Sequence, residues 1–514
     1  MVPLADLIFG NYCRRATELR QRVAGICVGC LSVICLCSGC HNWQKSHEAA
    51  VAQFGRGNIE FSRAALTESQ RRFRSETNVL ELDAGVLDLA SGNVTQAEAR
   101  FRTLRRELEH LEQKDATEQA SSMMTDARAA AYSGRDFERS MILNMALLTS
   151  LLGDGQDAFA YSLQATDAAA NRRTILADAA AKASESNAVA EVAPTPDAVN
   201  VITPVSYDGQ RTAANLVASP LDQPLALSSY LSAAVQSERP TRYAETEQAL
   251  NDIAVWNPAF RRQEQTAATG EFGSRCHAGN GTLHVITLIG KAPRWVSESA
   301  EPTTVAMLIA DRVISAAGKH TLPPTIASVK IARPEPCGYM IPTGTVQCLV
   351  GPFGVPVTTS APLTFLTVVD LNEVAQASYQ EHRDEEIAHA ITRRVLKKSA
   401  VYVLKEAQNI HRNSFVDLGI NVAGIAWEAM EKADTRSWRL LPARIDIART
   451  ELPAGHWSAT LRISHSGSSR AAQTIPVHIE DGRNTYIVCL IPEQDFAGQI
   501  LVGGADNATI PVQP

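Results

Sequence analysis

The chain of 514 residues has few aromatic side chains, 6% of the total, and no excess of basic ones, since 48 Lys and Arg stand against 55 Asp and Glu. Binding to nucleic-acid phosphates requires a clustered basic face. The net charge of −7 therefore argues against nucleic acid as a partner. Few aromatic residues and abundant alanine favour helices that pack closely through small side chains. After the first 40 residues, no apolar run approaches the roughly 20 residues that span a bilayer.

Short motifs of known chemistry are also missing from the sequence. It has no phosphate-binding loop, no dinucleotide glycine fingerprint and no Gly-x-Ser-x-Gly nucleophile elbow. Cys276-His277 is not followed by a second pair at zinc spacing. Glu385 and His389 lack the His-Glu-x-x-His pattern, and a solvated helix face explains them. We therefore predict no enzyme, no metal and no cofactor, although catalytic groups distant in sequence can still meet in space.

The first 40 residues have the order of an export signal. Basic residues between positions 14 and 22 precede an uncharged apolar run, and Ser38-Gly39 precedes Cys40. A positive start, a short apolar middle and small residues before a cut are typical of such signals. The cysteine after the small pair resembles a bacterial lipoprotein signal, which implies that Cys40 is acylated and becomes the mature N-terminus. The alternative is an uncleaved membrane helix, because the uncharged run of roughly 17 residues is at the lower limit for spanning.

Lipidation would fix the location of the protein. Two or more acyl chains hold a protein firmly at a bilayer. We therefore expect a membrane-anchored, periplasm-facing protein of the cell envelope. In known lipoprotein sorting, an Asp directly after the lipidated cysteine keeps the protein out of the outer membrane. Here His41 follows Cys40, so this resemblance implies delivery to the outer membrane if the host has two membranes.

The body that follows the leader contains an even number of cysteines: Cys276, Cys337, Cys348 and Cys489. In an exported chain this number permits two disulfides. Cys337 with Cys348 is the favoured pair, because proline and glycine between them allow a tight loop. Buried free thiols are the alternative, and the sequence leaves both open.

Residues 46–188 have a helical pattern with regularly spaced turn signals. Two stretches resemble the tetratricopeptide repeat, in which small residues let a second helix pack closely and an aromatic residue closes the seam. They are Ala84, Gly85, Leu89, Gly92, Ala97 and Phe101, and a weaker copy at Ala146, Gly153, Ala158 and Ala165. Each hairpin buries its apolar stripe only against a neighbour, so we expect an array. A further helical pair is predicted at 225–237 and 243–253, and a flexible insertion at 184–221.

The second half mixes strands and helices. Strands are predicted at 281–289, 326–332 and 363–369, with a helix at 303–317. A long helix follows around 384–402, where acidic residues precede basic ones in the order that suits the helix dipole.

The last part of the chain is predicted to be a helix followed by strands only. The helix is at 415–432, and the strands are at 443–449, 457–464, 473–480 and 485–492. Short strands separated by turns favour a small antiparallel sheet. The fold class is therefore α+β: a tetratricopeptide-like helical array, then a mixed α/β domain that ends in this sheet. The predicted divisions are 1–39 (leader), 40–262 (helical domain), 263–442 (mixed domain) and 443–514 (strand subdomain).

One block carries a resemblance to a family. Ala433-Asp434-Thr435-Arg436-Ser437-Trp438-Arg439-Leu440-Leu441-Pro442 is followed by Ile447-Ala448-Arg449 and Leu452-Pro453-Ala454-Gly455. This block resembles the signature of a family of bacterial tetratricopeptide-like lipoproteins of uncharacterised function, and residues 134–138 resemble its central motif. The resemblance implies a lipidated N-terminus, a helical half, a mixed C-terminal half and work in envelope or cell-wall assembly. It assigns no catalytic residue.

The same block can be interpreted from its chemistry. Asp434 and Arg436 can form an ion pair, and Trp438 can be a large buried plate at the junction between helix and sheet. The competing interpretation is a ligand site built on Trp438 and Arg436. Trp457, beside His456, is either packed inward at a turn or a platform for a sugar ring.

Two function hypotheses result. The first is a membrane-anchored scaffold that binds unidentified envelope proteins through the helical array, which could otherwise serve only as a spacer. The second is a glycan-binding, ligand-binding or hydrolytic module in the second half, with the helices as a stalk. The second predicts a concave polar pocket near Trp438 or Trp457.

Overall fold

A computed structural model of the chain describes residues 45–113, 131–190, 219–268, 270–316, 327–337, 341–342, 344–355, 361–407, 433–465 and 468–504. The predicted leader with Cys40, the predicted helix at 415–432 and the central part of the predicted insertion lie outside these ranges. The described residues have an α+β fold, with most helices in the first half and all of the described strands in the second.

The first half of the described chain is helical. Its helices are residues 45–55 (α1), Ile59–Arg72 (α2), Thr77–Ala90 (α3), Val94–Gln113 (α4), Asp136–Leu152 (α5), Ala158–Ala190 (α6), Gln223–Ser237 (α7), Tyr243–Trp256 (α8) and Pro258–Ala267 (α9). The helical pair predicted at 225–237 and 243–253 is confirmed as α7 and α8. Helix α6 extends into the first residues of the predicted insertion.

Helices α3 and α4 pack together as a hairpin because two glycines permit it. Gly92 reverses the chain between them with a φ of 81°, a left-handed conformation that favours glycine. A side chain at Gly85 would place its Cβ 2.6 Å from the ring of Phe101, so only glycine admits this ring at its observed position. Phe101 and Ala97 are fully buried in the seam.

The second half contains the strands. They are Asn280–Ile289 (β1), Lys291–Ala300 (β2), Val329–Cys337 (β3), Val346–Pro352 (β4), Leu366–Asp370 (β5), Arg444–Pro453 (β6), Gly455–His465 (β7), Ser468–Ile479 (β8), Asn484–Ile491 (β9) and Leu501–Gly503 (β10). Two helices interrupt them, Thr304–Ala316 (α10) and Leu371–Ala407 (α11).

A five-stranded sheet in the order β10-β9-β1-β6-β5 is the central layer of the fold. Strand β1 is antiparallel to β6 and parallel to β9. Because successive side chains point to opposite faces, Leu283 and Val285 of β1 join one apolar core and Ile286 and Leu288 join another. The second of these cores contains the helices, and the first lies against the other sheet. Strand β1 is therefore buried on both faces, including its polar residues His284 and Thr287.

The other sheets are smaller. Strands β4, β7 and β8 form an antiparallel sheet in the order β4-β7-β8, which covers the face of the central layer that points away from the helices. Strands β2 and β3 form a two-stranded sheet, which shares a third core with α10 and α11.

This topology corrects the predicted C-terminal sheet. The four predicted strands are present as β6 to β9, but they do not form one antiparallel sheet. Strands β6 and β9 form hydrogen bonds with the two edges of β1, which lies in the middle of the central sheet. Strands β7 and β8 belong to the sheet that contains β4. The five-stranded and the three-stranded sheets therefore each combine strands from before and after residue 442. The sequence had predicted a boundary between two subdomains at this residue.

Two further expectations are adjusted. The long helix α11 begins at Leu371, so the acidic residues predicted to open it lie in its interior. Strands β2 and β4 have no counterpart among the predictions, because β2 contains charged residues and a proline and β4 lies in a segment rich in turn residues. Within the described ranges, no helix combines the length and apolarity needed to cross a membrane.

Candidate functional site

The segment 433–442, here called the junction segment, has neither helix nor strand and is largely buried. Two carboxylates from the helical half bind its backbone. Glu138 Oε1 accepts a hydrogen bond from the amide of Trp438 at 2.8 Å, and Asp83 Oδ1 accepts one from the amide of Leu440 at 2.7 Å. Buried amides outside regular structure need such acceptors. The helical half therefore determines the path of the junction segment.

Glu138 binds more than one donor. It lies in the first turn of α5, where its Oε2 accepts hydrogen bonds from the amide of Arg135 at 2.9 Å and from the hydroxyl of Tyr132. Burial raises the pKa of Glu138, and the hydrogen bonds from Arg135, Tyr132 and Trp438 oppose this change. One carboxylate thus joins the start of α5 to the junction segment.

The predicted pair of Asp434 and Arg436 is confirmed. Arg436 Nη2 lies 2.6 Å from Asp434 Oδ2, and its Nε donates to Asp434 Oδ1 at 2.9 Å. Arg436 Nη1 also lies 3.5 Å from Glu76 Oε2. Burial would raise the pKa of Asp434, but the hydrogen bonds and the charge of Arg436 lower it below its ordinary value. Both charges of this pair are compensated inside the protein.

The two tryptophans do not form an open platform. Trp438 is 0% exposed and its ring lies 5.6 Å from that of Phe101, so the structure confirms a buried plate. Trp457 is half-buried, packs against the core under the three-stranded sheet and donates from its indole nitrogen to the carbonyl of Pro453 at 2.9 Å. A ligand site with a stacking face on Trp438 is therefore excluded in this conformation.

The cysteines predicted to pair are free thiols. Cys337 and Cys348 form no disulfide, and Cys276 and Cys489 are free as well. Cys337 Sγ lies 3.4 Å from Arg439 Nη2, and Cys348 is buried between the two larger sheets. Burial raises the pKa of the Cys348 thiol to about 12.

The pair Cys276-His277, considered as a metal site, makes other contacts. His277 Nδ1 lies 2.8 Å from Glu451 Oε1, and Cys276 Sγ lies 3.0 Å from the hydroxyl of Thr282. Among the residues that the structure describes, no three His, Cys, Asp or Glu side chains are grouped to hold a metal ion.

A pocket of about 360 Å³ lies beside the junction segment, and we call it the polar pocket. The start of α5, strand β3, helix α11 and the junction segment form its walls. Its charged or titratable lining residues are Tyr132, Arg135, Lys330, Glu386, His389, Arg393, Asp434 and Arg436. Burial lowers the pKa of His389, which favours a neutral imidazole.

A larger groove of about 580 Å³ lies between α4, α5, α6 and α11, and we call it the helical groove. Its apolar lining residues include Leu108, Phe137, Ile142, Leu143, Ile175 and Leu225. Most of the charged side chains around it are paired within the protein. Arg172 Nε lies 2.9 Å from Asp222, Arg139 Nη2 lies 2.5 Å from Asp136, and Arg105 Nε lies 2.8 Å from Glu109.

Sequence reasoning identified the junction segment but missed the residues that bind it. Asp83 and Glu138 lie on helix faces that are otherwise apolar, and a carboxylate in that position is a signal that could have pointed to them. Their backbone partners lie 357 and 300 residues later in the chain. No local pattern indicates such partners.

Comparisons with protein-family models, with curated proteins and with solved structures each found no match to this chain. The geometry of the pocket and the groove therefore carries the functional argument.

Proposed function

We propose that this protein is a membrane-anchored lipoprotein of the cell envelope that binds a protein partner in its helical groove. Acylation of Cys40 anchors it facing the periplasm, and membership of the bacterial tetratricopeptide-like lipoprotein family is part of the proposal. The partner presents a segment with apolar side chains.

The observation that carries the proposal is the composition of the helical groove. Part of its apolar lining is accessible, since Ile175 is 50% exposed and Leu143, Leu221 and Leu225 are partly exposed. Arg105, Arg139 and Arg172 each have a carboxylate partner in the protein. A partner that filled the groove would thus gain mainly from burying apolar surface, at about 25 cal/mol per Å². Exposed apolar grooves with polar borders are typical of protein interaction sites.

The packing of α3 on α4 supports a tetratricopeptide-like array as the framework of this groove. Gly85, Gly92, Ala97 and Phe101 make the close contact and the turn that this repeat uses. Arrays of such hairpins form extended concave binding surfaces. The groove lies beside the second predicted copy, α5 and α6.

Site-specific photo-cross-linking in intact cells tests the groove. A photo-reactive amino acid at Ile175 should give a discrete cross-linked product, whereas one at Leu308, which is 47% exposed on α10 away from the groove, should not. The product from a probe at Ala168, also in the groove, should be lost in the Ile175→Arg variant. Equal cross-linking from 175 and 308, or none from either groove position, would contradict the proposal.

Labelling tests the anchor separately. Radiolabelled palmitate should enter the wild type and not the Cys40→Ser variant, which should leave the membrane fraction. Equal labelling or equal membrane association of the two would remove the lipoprotein part of the proposal and leave the groove untouched.

The alternative function is ligand binding in the second half. The polar pocket favours it, because this pocket is concave, polar and adjacent to the junction segment. Its chemistry points to one class of ligand, which is argued next.

A further inference from the structure

We propose that the polar pocket binds a small multivalent oxyanion, with phosphate-type or carboxylate groups. The site stands independently of the helical groove. The proposal depends on three features: the charges that line the pocket, the contacts of each charged side chain, and the lack of an open aromatic face on Trp295 and Tyr132.

The charges in the lining are unbalanced. Four permanent cations, Arg135, Lys330, Arg393 and Arg436, stand against two carboxylates, Glu386 and Asp434. This excess lies in a chain whose formal net charge is −7. Clustered cations in a concave, partly dry site attract anions more strongly than isolated surface charges do.

Arg436 and Asp434 neutralise each other and do not contribute to the excess. Arg436 donates to both carboxylate oxygens of Asp434 and also lies 3.5 Å from Glu76, which is behind it. We therefore assign Arg436 to the wall of the pocket.

Arg135 is held in place and is neutralised only in part, by an ion pair with Glu386 and by the nearby charge of Glu138. Its guanidinium lies 3.4 Å above the centre of the Trp295 ring, and its Nη2 donates to the carbonyl of Asp434 at 3.1 Å. Its Nη1 is 3.5 Å from Glu386 Oε1, and its buried Nε has no hydrogen-bond partner among the described residues. Arginine offers a rigid fork of donors that suits oxyanions. This one is already oriented by the stacking contact.

Lys330 supplies a second cation. It lies on β3 with an exposed side chain, and no hydrogen bond or ion pair to another described residue engages that side chain. Glu386, the remaining lining carboxylate, also accepts a long hydrogen bond of 3.4 Å from the amide of Ala332. Glu386 is therefore shared between Arg135 and β3, and an anion between Arg135 and Lys330 would complete the charge balance.

The aromatic residues nearby disfavour a neutral sugar as the ligand. Arg135 covers the face of Trp295, and Arg436 lies 5.5 Å from the centre of the buried Tyr132 ring. A sugar ring stacks on an open aromatic face, and neither ring offers one here. The pocket can therefore recognise charge but not a pyranose face.

Titration calorimetry on the full chain in detergent tests the site, with inorganic phosphate and malonate as the probes and sodium chloride keeping the ionic strength constant. We expect saturable binding of at least one probe, and the preferred probe identifies phosphate or carboxylate as the natural class. Lys330→Ala should weaken binding about three- to tenfold, because it removes one close charge from the site. Lys45→Ala, at an exposed lysine outside the pocket, is the matched control and should leave binding unchanged.

A second variant tests the direction of the charge argument. Glu386→Gln removes the carboxylate that competes with the ligand, so it should tighten binding of the same probe. Circular dichroism should report native folding in all three variants. The proposal is overturned if neither probe binds saturably, if Lys45→Ala weakens binding as much as Lys330→Ala, or if Glu386→Gln weakens it.

Discussion

The side chain of Glu138 accepts a hydrogen bond from the backbone amide of Trp438 at 2.8 Å, across 300 residues of sequence. The same carboxylate accepts from the amide of Arg135 and from the hydroxyl of Tyr132. The start of a helix in the first half and the junction segment in the second half therefore depend on one buried acidic group. Loss of this group should affect both parts together.

The Glu138→Gln variant should be destabilised. The amide of glutamine has one acceptor and one donor group, so it cannot accept all three hydrogen bonds that the carboxylate accepts. A buried donor left without a partner costs about 1–3 kcal/mol, and we expect a total loss of about 2–4 kcal/mol in the free energy of unfolding. Denaturant unfolding measures the loss, and hydrogen exchange at Trp438 should accelerate.

The matched control for this variant is Glu60→Gln. Glu60 also lies in the first turn of a helix, α2, but its side chain is exposed. Surface substitutions of this kind change stability by about 0.5 kcal/mol or less. If Glu138→Gln were no more destabilising than this control, the three hydrogen bonds would not stabilise the junction segment.

The Gly85→Ala variant tests the close packing of α3 on α4. Alanine in a helix is favoured over glycine by about 1 kcal/mol, but its Cβ would lie 2.6 Å from the ring of Phe101. Overpacking in a close-packed core costs about 1–3 kcal/mol, so we expect a net loss of stability. The double variant Gly85→Ala/Phe101→Leu should lose less stability than the two single variants lose in sum. Additive losses in thermal unfolding would contradict the contact.

Much of the secondary structure could be predicted from the sequence, because its signals are local. Strand β1, helices α7 and α8, and the four C-terminal strands follow from periodicity and turn residues. The sheet order does not follow. Strands β6 and β9 pair with the two edges of β1, which is buried on both faces. Strand β9 is parallel to β1, which the short turns between the C-terminal strands do not indicate. Pairing between distant strands is decided by tertiary packing.

The candidate sites were predictable only in part. The pair of Asp434 and Arg436 is two residues apart in sequence, so the chemistry of the side chains indicated it. The polar pocket takes Arg135, Lys330 and Glu386 from three separate elements, and no spacing links them. The favoured disulfide between Cys337 and Cys348 rested on the proline and glycine of the loop between them, and these residues do not specify where the two thiols point.

The four cysteines of the described chain should differ in reactivity. Cys348 and Cys489 are fully buried, and burial raises the pKa of both thiols. Cys337 and Cys276 are half-buried, and burial raises the pKa of Cys276 as well. Because the thiolate is the reactive form, we expect alkylation of Cys337 by iodoacetamide to be at least about a hundredfold faster than that of Cys348 or Cys489.

Peptide mass spectrometry without reduction measures these rates residue by residue. Unfolding in denaturant is the control, because all four thiols should then react at similar rates. A bridged peptide containing Cys337 and Cys348 would contradict the free thiols of the structure and would restore the pair that the sequence favoured.

Stability should fall in acid in a way that depends on Glu451. Burial would raise the pKa of Glu451, but hydrogen bonds from Asn280, His277 and the amide of Glu271 lower it to about 2. Folding lowers the pKa of Glu451, so its carboxylate stabilises the folded state at pH values above its ordinary pKa of 4.5. This contribution is lost as the pH falls from about 4.5 to about 2.

The Glu451→Gln variant tests this contribution, because glutamine loses the carboxylate's hydrogen bonds and does not titrate. It should be less stable than wild type by about 1–2 kcal/mol at pH 7. The difference should shrink below pH 4.5, as denaturant unfolding at successive pH values can measure. A difference that stays constant down to about pH 3 would show that the contribution of Glu451 does not come from its charge.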